Sequence, residues 1–342
     1  MRAAVYHGAG ELRVTEMPEP VRGPGDLLVR VSACGLCGSD ITAWYQDPRA
    51  PMVMGHEPVG VVVDADPGAA TPVGTRVFVH HHVPCMTCEL CRAGRHTLCP
   101  RFAATRIDPG GLAEVVRVPA ENARLDVLEL PPHLTDEEAT FIEPLACVVR
   151  GLRAAGVGPG TSVAVVGAGA MGLLEVQAAM ALGAPRVLVA EPRADRLARA
   201  VALGAAPAVP GERAQVVVVT TSSAAAIAAG LELAGPGAVL QLFAPPRPRP
   251  PGAGGPGRRV DARGVHHAQL HLGGPVRRAG QDMALRAVPV GLRGDALPAG
   301  PRPATHVPHH LPPIRNATCQ MVALRPRAVR YPPAVRATPG SR

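Results

Sequence analysis

A strand that runs through a glycine-rich turn into a helix is the feature that most restricts the fold of this chain. The segment VAVVGAGAMG contains three glycines in G-x-G-x-x-G spacing: Gly167, Gly169 and Gly172. From Thr161 to Ala244, short apolar runs that resemble strands alternate with longer runs of helical character. Apolar strands that alternate with helices indicate a parallel sheet covered on both faces. We therefore expect an α/β protein with a doubly wound parallel sheet over residues 144–244.

The same glycine spacing favours a dinucleotide site over an ordinary glycine-rich turn. The first glycine allows a tight turn, the second lets the backbone approach a pyrophosphate, and the third lets helix and strand pack closely. The helix N-terminus, with Ala170 and Met171, then faces the phosphates. The next strand ends at Glu191, where a carboxylate binds ribose hydroxyls and repels a 2′-phosphate. We expect NAD as the cofactor, and Arg193 and Arg196 keep NADP as the alternative.

The first 143 residues have the pattern of a β-rich domain. Short runs of strand-forming residues are separated by glycine and proline, as in DLLVRVSAC, EPVGVVVDAD and LAEVVRVP. Towards the end of this region, Thr135 and Glu138 form a capping box, which predicts that a long helix follows directly. We therefore place one domain at 1–143 and the doubly wound domain at 144–244.

Four cysteines within fifteen residues predict a structural zinc site. They occur in C-x2-C-x2-C-x7-C spacing: Cys85, Cys88, Cys91 and Cys99. Four thiolates complete a tetrahedral shell around Zn2+ and leave no position for a substrate. Free or disulfide-bonded cysteines are the alternative, which the spacing disfavours. This site would stabilise a loop and carry no chemistry.

A second metal site is suggested by the segments CGLCGSD and GHE. Cys37, His56 and Glu57 offer sulfur, nitrogen and oxygen donors and leave room for water or substrate, as a catalytic zinc requires. A His-Glu pair alone is more often ordinary surface. The tract His80 to His82 is a weaker metal candidate, because strand alternation would place only His80 and His82 on one face.

The order of these motifs resembles that of the zinc-dependent medium-chain alcohol dehydrogenases, in particular their sorbitol and threonine dehydrogenase branch. The resemblance rests on CGLCGSD, GHE, the four cysteines, EPLACV and the glycine turn, and covers residues 1 to about 244. It implies a GroES-like β domain, a Rossmann domain and an active site in the cleft between them. The implied reaction moves a hydride from a secondary alcohol, polyol or amino alcohol to NAD.

The resemblance also assigns roles to individual residues. Cys37 and His56 would bind the catalytic zinc, with Glu57 as a ligand or as support for one. Glu143, in FIEPLA, matches a glutamate that binds the metal directly or through water. Ser39 matches the hydroxyl that starts the proton relay. Relatives often carry a histidine where Thr42 stands, so here Thr42, water or another group must continue the relay.

Residues 245–342 depart from this pattern. They contain 16 arginines, three aspartates and no glutamate, whereas the preceding residues contain 19 arginines and 24 acidic residues. Eighteen prolines and the lack of a hydrophobic period predict a disordered Arg/Pro-rich tail. The chain contains no lysine, as is typical of GC-rich coding sequences, and we expect that the coding frame shifts between Ala244 and Gly257. A tail that binds nucleic acid is the alternative, disfavoured because Tyr331 is its only aromatic residue.

The remaining expectations concern location and partners. No run of about 18 apolar residues could span a bilayer, and the polar N-terminus does not resemble a secretory signal. We expect a cytoplasmic protein that binds a small alcohol and no membrane. The family implies a homo-oligomer, but its usual dimer surface would fall in the altered region. The alternative to an active dehydrogenase is therefore a catalytically impaired zinc-binding remnant.

Overall fold

The computed structural model describes residues 1–244 and the backbone of residues 268–271 and 288–289. Within residues 1–139 short strands dominate, and the helices are brief. The strands are β1 (Arg2–Gly8), β2 (Glu11–Glu16), β3 (Leu27–Gly35), β4 (Met52–Val53), β5 (Glu57–Asp64), β6 (Arg76–Val79), β7 (Val115–Val118) and β8 (Val127–Glu129). The helices are α1 (Ala43–Gln46), α2 (Glu89–Arg92), α3 (Pro100–Ala104), α4 (Ala120–Leu125) and α5 (Asp136–Ala139).

Two antiparallel sheets form this β-rich region. The larger has the strand order β7-β3-β5-β6-β8, and the smaller has the order β2-β1-β4. One apolar core joins them, since Ala4 and Tyr6 of β1 pack in the same cluster as Val29 of β3 and Val116 of β7. The strands predicted from DLLVRVSAC, EPVGVVVDAD and LAEVVRVP are present as β3, β5 and β7. The predicted β-rich domain is confirmed.

The second region is built from a helix-covered parallel sheet. Its helices are α6 (Ile142–Ala154), α7 (Ala170–Ala181), α8 (Ala194–Ala202) and α9 (Ala224–Leu233). Its strands are β9 (Val163–Val166), β10 (Val187–Ala190), β11 (Ala206–Pro207), β12 (Ala214–Val219), β13 (Ala234–Leu242), β14 (Ala268–His271) and β15 (Val288–Pro289). The strand order is β11-β10-β9-β12-β13-β14-β15.

This sheet has the order of a doubly wound nucleotide-binding fold. Strands β9 to β13 are parallel, and the order reverses between β9 and β12, where such folds bind their ligands. The alternating side chains of the strands enter two clusters: Val163 and Val165 pack with α6 and α7, and Ala164 and Val166 pack with α9. Burial on both faces explains the continuous apolar runs in the sequence. The predicted Rossmann sheet is confirmed.

The long helix predicted after the capping box is instead two helices. The box itself forms, since Thr135 Oγ1 accepts a hydrogen bond from the backbone N–H of Glu138 at 3.2 Å, and the Glu138 carboxylate accepts one from the Thr135 N–H at 3.0 Å. However, α5 ends at Ala139, and α6 begins only at Ile142. Pro144 explains the break, because it lacks an N–H for the Thr140 carbonyl and its ring would collide with that carbonyl in a continuous helix.

The sheet continues beyond Ala244 by two short strands. β14 pairs with β13 and β15 with β14, both in antiparallel register. Apart from these two strands, the predicted Arg/Pro-rich tail and the predicted change of coding frame lie outside the described residues. The division after Glu143, in the first turn of α6, stays a prediction. Among the described residues, no helix combines the length and apolar character that crossing a bilayer requires.

Candidate metal and dinucleotide sites

The pairing of β3 with β5 brings Cys37, His56 and Glu57 together. Gly35, the last residue of β3, lies opposite Glu57, the first residue of β5. Cys37 follows β3 by two residues, and His56 directly precedes β5. One sulfur, one ring nitrogen and one carboxylate oxygen of these residues all lie within 4.8 Å of one another. We call Cys37, His56 and Glu57 the donor trio.

Asp40 contacts two members of the donor trio, His56 and Cys37. Its buried carboxylate places Oδ1 3.4 Å from Nδ1 of His56, while Oδ2 accepts a hydrogen bond from the backbone N–H of Cys37 at 2.9 Å. Nε2 of His56 then faces Glu57, whose Oε1 lies 4.0 Å away. Metal-binding histidines commonly place their second ring nitrogen on a carboxylate in this way. Nε2 is therefore the nitrogen that can hold a metal.

The carboxylate of Glu57 is the strongest sign that the trio holds a cation. The residue is fully buried, and neither oxygen has a hydrogen-bond partner. Burial raises the pKa of Glu57 to about 8; the charge of His56 lowers it, and the charges of Glu143 and Asp40 raise it further. A buried carboxylate without partners is costly unless a cation compensates it. The donor set and this orphaned carboxylate both fit Zn2+.

The surroundings of His56, like those of Glu57, favour a positive charge in the pocket. Burial opposes its protonation, but hydrogen bonds with Asp40 and Cys37 raise the pKa of the imidazole well above its ordinary value. A proton and a metal ion would satisfy the same surrounding negative groups. The electrostatics of the pocket therefore favour a bound cation.

Glu143 lies near the donor trio without joining it. The group of mutually close donor atoms contains Cys37, His56 and Glu57 but not Glu143. On α6, Oε1 of Glu143 accepts a hydrogen bond from Sγ of Cys147 at 3.3 Å. Its charge nevertheless raises the pKa of Glu57, so the carboxylate lies within electrostatic range of the trio. The structure thus brings together three of the four residues named as catalytic ligands.

Ser39 and Thr42, the two hydroxyl residues of the expected proton relay, lie in the loop between β3 and α1. Ser39 is half-buried, and its backbone carbonyl accepts hydrogen bonds from Gln46 Nε2 at 3.0 Å and from the Thr42 N–H at 3.2 Å. The Thr42 hydroxyl donates to the Gly38 carbonyl at 2.8 Å. Thr42 is therefore tied to the loop backbone, whereas the Ser39 hydroxyl donates to no described residue.

The four cysteines of the loop between β6 and β7 converge to one point. The Sγ–Sγ distances are 3.5 Å for Cys88–Cys91, 3.6 Å for Cys85–Cys99 and 3.9 Å for Cys85–Cys91. Four sulfurs about 2.3 Å from a zinc ion lie about 3.8 Å apart at the corners of a tetrahedron. The loop therefore has the dimensions of a four-thiolate zinc site, which we call the cysteine lobe.

Local hydrogen bonds prepare parts of the cysteine lobe as thiolates. The side chain and backbone of Thr87 and the backbone N–H of Cys88 lower the pKa of Cys85 to about 5. Burial raises the pKa of Cys91 to about 12, and the neighbouring thiols add to this effect. The surroundings of Cys85 therefore favour a thiolate, and those of Cys91 favour a neutral thiol. A divalent cation would stabilise all four as thiolates.

The glycine turn has the geometry that its spacing predicted. Gly167 has a φ of +98°, which favours glycine, and a Cβ on Gly172 would lie 1.9 Å from the Gly167 carbonyl oxygen. A Cβ on Gly169, by contrast, would meet nothing within 4 Å, so space is open beside it. Ala170 and Met171 form the first turn of α7, whose N-terminus has no side-chain cap. The free N–H groups and the open space suit a phosphate.

Glu191 lies beside this turn at the end of β10. Oε2 accepts a hydrogen bond from the Ala168 N–H at 2.8 Å, and Oε1 accepts one from the Arg193 N–H at 2.9 Å. The Arg193 guanidinium is paired with Asp195 at 3.0 Å, and Arg196 is half-buried on the first turn of α8. Carboxylate and glycine turn are therefore adjacent, as a ribose–pyrophosphate site requires.

Thr220 was not singled out from the sequence, whereas His81 belongs to the histidine tract that was. The Thr220 hydroxyl, after β12, donates to the carbonyls of Val166 at 3.0 Å and Gly167 at 3.2 Å and supports the glycine turn. The His81 ring lies with its centroid 5.0 Å from that of His56. A strand followed by a threonine is too common to identify Thr220 in advance.

The histidine tract alternates as expected, but its central residue faces the donor trio. The rings of His80 and His82 both lie against Phe102, at centroid distances of 6.0 Å and 5.2 Å. His80 Nδ1 also lies 2.7 Å from an Asp126 carboxylate oxygen. Within the described residues, no three donor atoms of the tract form a metal-sized group. His81 is thus a neighbour of the pocket, and the tract itself forms no metal site among the described residues.

Comparisons with known proteins identify similar dehydrogenases. Residues 23–131 match the model of the alcohol dehydrogenase GroES-like domain. The chain is 33% identical to sorbitol dehydrogenase of Bombyx mori over 212 residues, which are 59% of this chain and 60% of that protein. It is 38% identical to sorbitol dehydrogenase of Ovis aries over 211 residues, 59% and 58% of the two chains. The match thus spans about three fifths of the length of these relatives.

Solved structures extend the likeness to both regions. Alcohol dehydrogenase TADH of Thermus sp. ATN1 is 33% identical, with a TM-score of 0.60 over 74% of this chain and 81% of that one. A zinc-binding dehydrogenase of Sinorhizobium meliloti 1021, solved with NADP, is 31% identical, with a TM-score of 0.61 over 69% and 74%. The chain therefore belongs to the zinc-dependent medium-chain alcohol dehydrogenase family.

Proposed function

We propose that this protein is a zinc-dependent oxidoreductase that transfers a hydride from a secondary alcohol, polyol or amino alcohol to NAD. The observation that carries the proposal is the donor trio, in which the buried Glu57 carboxylate has no hydrogen-bond partner. Three donors of mixed type leave a fourth position for a substrate, which is typical of catalytic zinc and not of structural zinc.

Each chain would hold two zinc ions. One would be bound by the donor trio, and the other by the cysteine lobe. The sulfur distances of 3.5 to 3.9 Å in the lobe suit a closed tetrahedral site. Asp40 would keep His56 oriented towards the first ion. The second ion would hold the loop between β6 and β7 in shape.

The residues of this chain would position the substrate and move its proton. When bound, zinc acts as a Lewis acid on an alcohol hydroxyl, and NAD accepts the hydride. The half-buried Ser39 hydroxyl, two residues beyond Cys37, would accept the substrate proton. From Ser39 the proton would pass to a solvent molecule, to the Thr42 hydroxyl or to another group. Thr42 donates its own hydroxyl proton to the Gly38 carbonyl, so only its oxygen is available to accept a hydrogen bond from Ser39. Glu143 would act on the charge balance of the pocket.

NAD is favoured over NADP by the residues around Glu191. The carboxylate lies against the glycine turn, where it would accept both ribose hydroxyls and repel a 2′-phosphate. Arg193, which could bind such a phosphate, is engaged by Asp195. The NADP in the Sinorhizobium meliloti relative keeps NADP as the cofactor to test against NAD.

A small polyhydroxylated alcohol is the substrate class that we propose. The similar proteins include sorbitol dehydrogenases and a galactitol-1-phosphate dehydrogenase, the latter 28% identical with a TM-score of 0.61. In this chain, His81 adds a hydrogen-bonding ring next to the trio. A panel of sorbitol, xylitol, 2,3-butanediol and threonine, assayed by NADH absorbance with the zinc-loaded full chain, tests the proposal. Oxidation of none of them by either NAD or NADP would contradict it.

A catalytically impaired zinc-binding protein is the second candidate. It is favoured by the matched length, about three fifths of the curated relatives, and by the altered composition after Ala244. This candidate predicts two bound zinc ions, weak or absent NADH binding and no turnover. Translating the other two frames of the gene beyond codon 244 tests the proposed frame change. Absence of apolar, periodic strands and helices in both would contradict that change.

A further inference from the structure

Helix α6 presents two polar side chains one turn apart to the donor trio. Glu143 and Cys147 are separated by four residues, so they share a helix face. Oε1 of Glu143 accepts a hydrogen bond from Sγ of Cys147 at 3.3 Å. The electrostatic interactions of Cys147 also reach Cys37, and those of Glu143 reach Glu57. The pair therefore lies at the edge of the candidate metal pocket.

Glu143 is a further carboxylate whose charge acts on the trio, through Glu57, and which could complete a metal shell. Its oxygens do not belong to the group of donor atoms within 4.8 Å of one another. The hydrogen bond to Cys147 occupies Oε1 and directs the carboxylate along the helix. A carboxylate in the fourth position of a zinc ion would leave no place for a substrate oxygen. Cys147, which donates a hydrogen bond to Glu143, therefore affects whether the fourth position of the metal is available to a substrate.

We propose that Cys147 is a positioning residue that holds the Glu143 carboxylate out of the first coordination shell, so that the fourth position of the metal stays open for substrate. The inference rests on the proposed function, because it requires a metal ion in the donor trio.

The test compares variants of the cobalt-loaded full chain. Cys147→Val removes the donor and keeps a side chain of similar size, whereas Cys147→Ser keeps a donor. In the valine variant, Glu143 should reach the metal, change the visible d–d absorption of Co2+ and slow metal release to a chelator about tenfold. The serine variant should resemble wild type. Adding Glu143→Gln to Cys147→Val should restore the wild-type spectrum and release rate.

The cobalt signal of the cysteine lobe is measured separately in a Cys37→Ala variant and subtracted. Equal spectra and release rates for wild type and Cys147→Val, in proteins with equal melting midpoints, would overturn the inference. A change in Cys147→Val that persists after Glu143→Gln would also overturn it. If the Cys37→Ala variant binds as much metal as wild type, the proposed function itself is contradicted, and so is the inference that rests on it.

Discussion

Gly35 and Glu57 lie opposite each other in the antiparallel pairing of β3 with β5, at the end of one strand and the start of the other. This register places the loop with Cys37 beside His56. Gly55, which precedes His56, has a φ of +90°, and a Cβ there would lie 2.7 Å from Leu112. The chain can therefore turn into β5 at this point only with glycine. The donor trio follows from the register and this turn.

Gly172→Ala and Gly169→Ala form a matched pair that tests the dinucleotide site. A Cβ at Gly172 would lie 1.9 Å from the Gly167 carbonyl oxygen, so alanine there should separate α7 from the turn and destabilise the domain by about 1–3 kcal/mol. At Gly169 a Cβ would lie more than 4 Å from every neighbouring atom of the described residues. That variant should keep its stability and weaken NADH binding, because the methyl group would occupy space for the pyrophosphate. Urea unfolding and NADH fluorescence titration measure the two effects; equal stability losses would contradict the geometry.

Metal analysis of two single variants separates the proposed zinc ions. Wild type should contain two zinc ions per chain. Cys37→Ala should contain one and keep the thermal stability of the lobe, since the trio loses its only sulfur. Cys88→Ala should also contain one, but with a lower melting midpoint, because the lobe loses the metal that holds its loop. Zinc quantification by mass spectrometry and scanning calorimetry check this; loss of both ions in either variant would contradict independent sites.

Glu191→Ser and Asp195→Ala test the cofactor preference. Replacing the carboxylate of Glu191 should reduce the preference for NADH over NADPH by about tenfold, because a repulsion and two ribose hydrogen bonds are lost. Asp195→Ala should strengthen NADPH binding, since Arg193 is released from its partner. The dissociation constants of NADH and NADPH, measured for wild type and both variants, test these two expectations. Unchanged ratios in both variants would show that another group selects the cofactor.

Glu175 makes stability depend on pH. This residue of α7 is fully buried, its oxygens have no hydrogen-bond partner, and burial raises its pKa well above the ordinary value. The unfolded chain therefore releases this proton from about pH 4.5 upward, whereas the folded chain retains it. Wild-type stability should fall relative to Glu175→Gln as pH rises, by up to about 1.4 kcal/mol per pH unit, until the folded pKa is reached.

Urea unfolding of wild type and Glu175→Gln at several pH values from 4.5 to 8 measures this difference. The two proteins share every other titrating group, so the effects of the cysteine lobe and the donor trio cancel. A free-energy difference that stays constant across the range would show that Glu175 is ionised in the folded protein.

Several elements could be predicted because their residues carry a periodic or geometric constraint. β9, α7, β10 and β12 are fully or largely buried and therefore have apolar runs of the right length. The cysteine lobe and the glycine turn depend on spacing, which sequence gives directly. By contrast, ELRVTE alternates polar and apolar residues, yet β2 is exposed along its whole length, so this alternation does not identify a core face. Helices α1 to α5 have four to six residues, too few to establish a helical period.

The details of the pocket depend on contacts between distant residues and were harder to predict. Strand alternation separates His81 from its neighbours, but only the tertiary fold shows that His81 faces His56. The prediction of one long helix after Thr135 was wrong because Pro144 interrupts the helix that the capping box starts. The position of Glu143 beyond the trio depends on the helix that this proline starts, and on the thiol of Cys147.

The most direct test of the account compares NADH formation by zinc-loaded wild type and Cys37→Ala with sorbitol at saturating NAD. We expect wild type to oxidise sorbitol, to lose this activity when a chelator removes zinc, and to regain it when zinc is added back. We also expect a loss of at least about a thousandfold in Cys37→Ala while the zinc of the cysteine lobe is retained. Turnover that survives the substitution, or a wild type that holds both zinc ions and oxidises no alcohol, would contradict the central claim.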